Sequence, residues 1–361
     1  MSRSILPPVR RGDRRQDRPA LRVAPPARPA SILDDETLRP GLFEVEGLMR
    51  TLSAGERLER AGVMAQEHLA SGGRRIRARL ALAATAVLGG SAERAVPWAA
   101  AVELLHNATL VHDDIQDGDR VRRGAPTTWV RHGVPQAINA GDLMLMLPFV
   151  ALDGGVLPVE AQAGLSAALA RNAVRVVRGQ AEEMDMLSAG HLSRVAWERC
   201  ARGKTGALFG LPVEGAALVA GRTAAQAAAL GRPFGELGLL YQLQDDVVDL
   251  YGDKGRGERG SDLKEGKVSA LVAAHLERWP EDRAWLVGLL SADRDATSDA
   301  MVAEAARRFQ ESGALDAVLD QIRACERAVL EDPALAEEPG LLPVAAELAT
   351  LALRPIRHLL R

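Results

Sequence analysis

From about residue 36 onward, apolar positions recur three and four residues apart, the spacing that gathers them on one face of an α-helix. The pattern predicts helices over roughly 40–70, 74–88, 93–116, 134–152, 157–188, 191–220, 223–251, 262–278, 295–312, 314–330 and 341–358. Glycines punctuate the series. Gly72-Gly73, Gly89-Gly90, Gly118, Gly133, Gly154-Gly155, Gly190 and Gly252 fall where helix ends are expected. Pro233 lies inside the 223–251 stretch, where its missing N–H is expected to kink the helix or to mark its true start. No run of strands alternating polar and apolar residues is visible, and no short-period repeat.

Residues 1 to about 35 differ in kind. Pro7, Pro8, Pro19, Pro25, Pro26 and Pro29 stand among Arg10, Arg11, Arg14, Arg15, Arg18, Arg22 and Arg28, with few large apolar residues to bury. This predicts a disordered Arg/Pro-rich tail, read as a passive extension in preference to a segment that touches an acidic surface or anionic lipid. Residues 36–361 are then a single folded domain, which a chain of 361 residues can accommodate.

Composition narrows the classes. The chain is 47% hydrophobic, 3% aromatic and 26% charged, with Ala and Leu supplying much of the apolar share, which favours helix. A formal charge of −3 provides no global basic field for nucleic acid. Cys200 and Cys325 lie far apart and read as buried thiols in a reducing compartment, not as a disulfide. No apolar run approaches the roughly 18–20 residues of a membrane span, and no apolar signal region opens the chain. A cytoplasmic location without a transmembrane segment is the expectation.

Two acidic clusters carry the chemistry. His112-Asp113-Asp114-Ile115-Gln116-Asp117 and Gln244-Asp245-Asp246-Val247-Val248-Asp249 share the spacing D-D-x-x-D. Residues three and four apart share a helix face, so Asp113, Asp114 and Asp117 are expected to project together, and likewise Asp245, Asp246 and Asp249. Each cluster ends an apolar helix, and the helix C-terminus is already partly negative, so the carboxylates need a compensating cation. Hard divalent ions suit such oxygens, and Mg2+ in particular bridges one or two carboxylates to substrate phosphates. A solvated acidic face explains one such motif as well as a metal does. It explains two, each at the end of an apolar run, less well.

Phosphate calls for arginine and lysine. The candidates are Arg74-Arg75-Ile76-Arg77 behind a pair of glycines, Arg120-Val121-Arg122-Arg123, Lys204-Thr205 and Gly266-Lys267. Basic patches alternating with two acid clusters suggest a divided site, one part gripping a metal-bound diphosphate and the other a metal-free one. Two decoys are set aside. Gly203-Lys204-Thr205 ends like a P-loop, but the required first glycine falls at Glu198. Gly255-Arg256-Gly257-Glu258-Arg259-Gly260 fits G-x-G-x-x-G but follows a helix, not a strand; it reads as a charged loop able to close over a diphosphate.

Over roughly residues 40 to 355 the chain resembles the trans-isoprenyl diphosphate synthase (polyprenyl synthetase) family. Glu103 through Asp117 is similar to the family's first aspartate-rich motif, Arg122-Arg123-Gly124 to its following basic pair, and Gln242 through Asp249 to the second aspartate-rich motif. Gly179-Gln180, Lys204-Thr205 and Gly266-Lys267 fall where the family has such pairs. The resemblance implies an all-α fold, an isoprenoid-synthase-type helical bundle around a deep central cavity, and a homodimer. It implies three Mg2+ ions bridging an allylic diphosphate to Asp113, Asp117 and Asp245, with Asp114, Asp246 and Asp249 in or near the shell. Arg122, Lys204, Thr205, Gln242 and Lys267 would hold the same diphosphate, and Arg74, Arg77, His106 and Arg123 would hold isopentenyl diphosphate without metal. Two family positions differ: Arg74 stands for a usual lysine and Ala78 for a usual proline. Where the family often has a loop lysine this chain has Glu258, leaving Lys254, Arg256 or Arg259 to replace it.

Product length is the finer question. In the family, bulky aromatics four and five residues before the first motif stop elongation early; here Thr109 and Ala108 are small. Both are expected to face the cavity, with a deeper floor from Met144, Leu147 or Phe149. Geranylgeranyl diphosphate is the expected product and longer polyprenyl diphosphates the alternative. A class I terpene cyclase would carry a different second metal motif and an aromatic pocket. A non-catalytic synthase subunit would have lost one acid cluster.

Overall fold

The computed structural model describes Leu33 and residues 36–55, 59–252 and 259–360. The predicted tail, apart from Leu33, and the loop positions Lys254, Arg256 and Glu258 lie outside the described residues; Arg259 is described and stands exposed.

The all-α expectation holds. The first half runs α1 (Arg39–Ala54), α2 (Arg60–Ala70), α3 (Ile76–Val87), α4 (Ala92–Gln116), α5 (Thr128–His132), α6 (Val134–Leu152) and α7 (Val159–Asp185). The second half runs α8 (Arg194–Ala201), α9 (Ala207–Val219), α10 (Ala224–Tyr251), α11 (Ser261–Lys264), α12 (Ala270–Arg278), α13 (Arg283–Leu290), α14 (Asp299–Glu311), α15 (Ala314–Leu330), α16 (Pro333–Glu337) and α17 (Leu341–Leu353). Among the described residues the only strands are β1 (Val121–Arg122) and β2 (Ala125–Pro126), an antiparallel pair just after the first acid cluster.

Several elements differ from the periodicity. The 40–70 stretch divides into α1 and α2, and 262–278 divides into α11 and α12. The short helices α5, α13 and α16 are additions, too brief to show a helical period. The 191–220 stretch is helical from Arg194 to Val219 but contains a π-helical turn, Arg202–Gly206, between α8 and α9. Such turns are rare and occur often at functional sites. Pro233 does not mark the start of α10. That helix begins at a capping box in which the Thr223 hydroxyl accepts from the Gln226 N–H and the Gln226 side chain accepts from the Thr223 N–H, and it runs on through Pro233 to Tyr251.

A glycine seam explains why α9 and α10 lie so close around that proline. A Cβ on Gly210 would stand 2.8 Å from the Gly231 carbonyl oxygen, and one on Gly238 would stand 2.7 Å from the Gly206 Cα. Side chains at these positions would push the π-helical turn away from α10. A second contact fixes α4 against α9: Trp98, fully buried, donates its indole N–H to the Pro212 carbonyl at 2.9 Å. A Cβ on Gly215 would fall 1.9 Å from that indole. Gly215→Ala is therefore expected to destabilise the protein by about 1–3 kcal/mol through overpacking. A lower urea midpoint with unchanged helical circular dichroism would show it.

Leu33, assigned by sequence to the tail, is buried. Arg79 donates to its carbonyl at 2.8 Å and its own N–H reaches Glu347 at 3.4 Å, so it bridges α3 and α17. By length and composition α6 could cross a membrane, but Ala137, Ala140, Met144 and Leu147 on it are buried among the helices of the core.

Candidate active site

Both acid clusters end long helices, the first at the foot of α4 and the second in the last two turns of α10. Beside them opens a cavity of 370 Å³. Asp113, Lys204 and Thr205 stand on its acid side; Arg74, Arg77, His106 and Arg123 line it as well. Between these polar groups the wall is apolar, with Leu110, Val176, Leu208 and Phe209 from the inner helices and Leu348 and Leu351 from α17.

The structure separates the carboxylates that the sequence groups together. Asp113 faces the cavity. Asp114 is one residue on, about 100° around the helix. It is buried and accepts from Arg122 Nε at 2.5 Å. Asp117 accepts from Lys267 Nζ at 3.0 Å. In the second cluster Asp246 is buried and accepts from the Gln242 side chain at 3.1 Å and the Ala270 N–H at 2.7 Å. Asp249, also buried, accepts from the Ser261 hydroxyl at 2.6 Å and from the backbone N–H groups of Ser261 and Asp262. Asp114, Asp246 and Asp249 are thus buried on protein donors, whereas Asp113 faces the cavity and Asp117 rests on Lys267. Their placement braces the hairpin and the α11–α12 segment, and so aims Arg122 and Lys267. Asp245 is half-buried, one helical turn beyond the cavity-lining Tyr241. Gln242 accepts from the Thr205 hydroxyl at 3.0 Å, which ties the π-helical turn to α10.

Burial dominates the electrostatics of the carboxylates here. Burial first, then the charges of Asp117 and Glu183, push Asp113 up to about 6 against the pull of Lys204. Burial also pushes Asp114 to about 6 in spite of Arg122, and drives Asp246 well above the carboxylate range with help from Asp262. Burial draws the Lys204 ammonium down, but Glu183 and Asp113 outweigh it and the net shift is upward. The same holds for Lys267 between Asp117 and Glu265.

Among the described residues no ready-made cluster of three metal-ligating side chains exists. Lysines stand on acids instead, Lys267 on Asp117 and Lys204 on Glu183. The donor set fits Mg2+: hard carboxylate oxygens, few enough to leave positions for phosphate oxygens and water. The raised Asp113 marks a place on the cavity wall where added positive charge would be favourable.

The metal-free side is built around a strained turn. Arg123 has φ +53° and donates to the Gly72 carbonyl, and a Cβ on Gly73 would stand 2.9 Å from its guanidinium. Arg77 lies 5.0 Å over the Phe209 ring. Burial, with Arg77 and Arg123 nearby, holds His106 well below the ordinary histidine value, so it is a neutral imidazole. Arg77 Nε and His106 Nδ1 are buried and have no hydrogen-bond partner among the described residues. An anion in the cavity would find polar groups here that the protein leaves unused.

Of the two small residues expected to shape the chain pocket, Thr109 lines the cavity and Ala108 does not. Ala108 is fully buried in a core cluster with Met144 and Leu147, and Phe149 stands exposed on α6. Sequence reasoning missed Glu183, Phe209 and the α17 wall. Glu183 follows Gly179-Gln180 by one helical turn, the one local signal that could have found it.

A second cavity of 290 Å³ lies behind Asp114 and Arg122 and is bounded by His68. Burial, then Arg123 and Arg122, lowers His68 to about 4. The unfolded chain protonates this histidine below about 6.5. The unfolded state therefore binds more protons between about 4 and 6.5, and the residue makes stability rise with pH across that window. Asp113 and Asp114, raised to about 6, act in the opposite sense over part of it. The share of His68 is therefore read as a difference. Between pH 7 and pH 4.5 the wild type is expected to lose about 2–3 kcal/mol more than His68→Gln. Equal losses in urea unfolding would refute the buried neutral histidine.

Residues 60–308 match the polyprenyl synthetase family. The chain is 35% identical over 280 residues to a short chain isoprenyl diphosphate synthase of Methanothermobacter thermautotrophicus, covering 74% of this chain and 84% of that protein. It is 33% identical over 241 residues to a geranylgeranyl diphosphate synthase of Sulfolobus acidocaldarius, covering 65% of this chain and 72% of that one. Among solved structures, geranylgeranyl pyrophosphate synthase of Corynebacterium glutamicum, complexed with isoprenyl diphosphate and magnesium, superposes with a TM-score of 0.75 at 25% identity, covering 87% of this chain and 98% of that one. Sequence match, fold and paired acid clusters agree, and the chain belongs to the polyprenyl synthetase family.

Proposed function

We propose that this enzyme joins an allylic diphosphate to isopentenyl diphosphate head to tail, giving geranylgeranyl diphosphate as its main product. The observation that carries the reading is one apolar-walled cavity with an acid–lysine side at Asp113 and Lys204 and an arginine–histidine side at Arg77 and His106. Two diphosphates of different metal dependence match those two sides.

Asp113, Asp117 and Asp245 would hold Mg2+, three ions per site by the family resemblance. Bound Mg2+ would neutralise the allylic diphosphate and draw charge from the breaking C–O bond. Arg122, Lys204, Thr205, Gln242 and Lys267 would grip the same diphosphate. Lys204, on the cavity wall, and Lys267, on Asp117, are both ammonium groups, which supports that role. Arg74, Arg77, His106 and Arg123 would orient isopentenyl diphosphate so that its double bond meets the allylic carbon as the bond breaks. A neutral His106 donates one N–H without adding charge. The proton lost after addition goes to the departing diphosphate. Leu110, Val176 and Leu208 keep water from the cation.

The reading includes a homodimer. Ile138, Met146 and Val150 on α6, with Val174 and Val177 on α7, are exposed apolar residues on neighbouring helices, a face suited to a second copy. It also includes a cytoplasmic location, in keeping with two free cysteines whose thiols burial pushes up to about 12. The test is product mass after incubation with allylic diphosphates, isopentenyl diphosphate and Mg2+. A twenty-carbon prenyl diphosphate is expected; a cyclised hydrocarbon, or no product, would overturn the reading.

A further inference from the structure

Helix α7 presents three residues at helical spacing, Val176, Gln180 and Glu183, beside the reaction cavity and the two elements that border it. Val176 is on the cavity wall, Gln180 donates to the Gln116 side chain at 2.9 Å, and Glu183 accepts from Lys204 Nζ. The first two meet the apolar wall and the end of α4. The third meets the lysine of the π-helical turn.

The contact between α7 and that turn is close by construction. A Cβ on Gly179 would stand 2.5 Å from the Lys204 backbone nitrogen, and one on Gly203 would stand 3.2 Å from the Arg175 carbonyl oxygen. The two backbones touch, which sets the root of the Lys204 side chain at a fixed distance from Glu183. Both side chains are largely withdrawn from water, at 20% and 24% exposure, so their pairing is weakly screened. Three carboxylates act on the ammonium, Glu183, Asp113 and Asp117, and among the described residues Glu183 alone makes the hydrogen bond.

We propose that Glu183 is a positioning residue for the condensation, holding Lys204 beside Asp113 instead of on it. Without Glu183, the nearest strong partner for the ammonium is Asp113. A Lys204–Asp113 pair would occupy the carboxylate that the cation needs, and the incoming diphosphate would have to break it. Held by Glu183, the ammonium faces the diphosphate and Asp113 stays available. The proposal rests on the diphosphate role proposed above for Lys204. It adds a residue outside both aspartate motifs, acting through another side chain.

The test is a double-mutant cycle read on binding. Calorimetry with an unreactive allylic thiolodiphosphate and Mg2+ would compare wild type, Glu183→Gln, Lys204→Gln and the double variant. Glu183→Gln keeps the shape and removes the charge, and is expected to weaken the analogue about tenfold, the usual scale for a charged hydrogen bond. In the Lys204→Gln background the same change should cost less than about twofold. Glu183→Asp should recover part of the loss, and the KM for isopentenyl diphosphate should stay unchanged. A tenfold loss that persists without Lys204, or wild-type binding by Glu183→Gln, would overturn the proposal. Thermal melts of all four proteins guard against misfolding, which would weaken every ligand alike. Because the cycle is read on binding, it is decided separately from whether the wild type makes product.

Discussion

Asp113→Ala and Asp245→Ala are each expected to lower prenyl transfer by about two to three orders of magnitude, the scale for loss of one group that stabilises developing charge. The fold should persist in both. Asp113 is the cavity-facing carboxylate of its cluster, and burial together with Asp117 and Glu183 raises it to about 6. Removing it relieves like-charge repulsion in the free protein, so the melting temperature should hold or rise slightly. Asp114→Ala and Asp246→Ala make the informative contrast. Those carboxylates are buried and accept from Arg122 and from the Ala270 N–H. Loss of Asp246 strands the buried Ala270 N–H, at about 1–3 kcal/mol, and loss of Asp114 frees Arg122 from the carboxylate that aims it, so both should lower stability as well as rate. Steady-state assays with thermal melts on the four variants would check this. Near-normal turnover in Asp113→Ala, or full activity in excess chelator, would sink the metal-bridged reading.

That contrast shows what local pattern conveys and what it does not. The helix ends at Gly72-Gly73, Gly118 and Gly252 and the two D-D-x-x-D clusters were legible because each depends on residues within one or two turns. The partition of each cluster depends on distant chain. Arg122 reaches Asp114 because a hairpin with Arg123 in the left-handed region folds it back. Asp249 is spent on Ser261, across a loop from its own helix. Periodicity gives a face and leaves open which neighbour arrives there. The same limit hid the α17 wall at Leu348 and Leu351, since no motif marks an apolar helix as cavity-lining. It also hid the π-helical turn at Lys204, whose sequence continues a helical pattern on both sides.

Thr109→Phe is expected to shorten the main product from twenty carbons to about fifteen. Thr109 stands on the cavity wall one helical turn before Asp113, the distance at which an elongating chain passes. Its hydroxyl donates to the His106 carbonyl at 2.8 Å, so the side chain is already anchored to its own helix and makes no demand on the core. A phenylalanine ring there would project into space the chain needs, with Leu110, Val176 and Leu208 leaving little room to withdraw. Ala108 next door behaves differently. It is fully buried in the cluster that holds Met144 and Leu147. A ring at that position would overpack the core, and Ala108→Phe should cost about 1–3 kcal/mol of stability before it touches product length. Mass spectrometry of products with urea unfolding on both variants separates the two effects. Unchanged product length in Thr109→Phe at normal turnover would remove Thr109 from the chain path. A clean shift to fifteen carbons in Ala108→Phe without loss of stability would place the elongating chain between α4 and α6 instead.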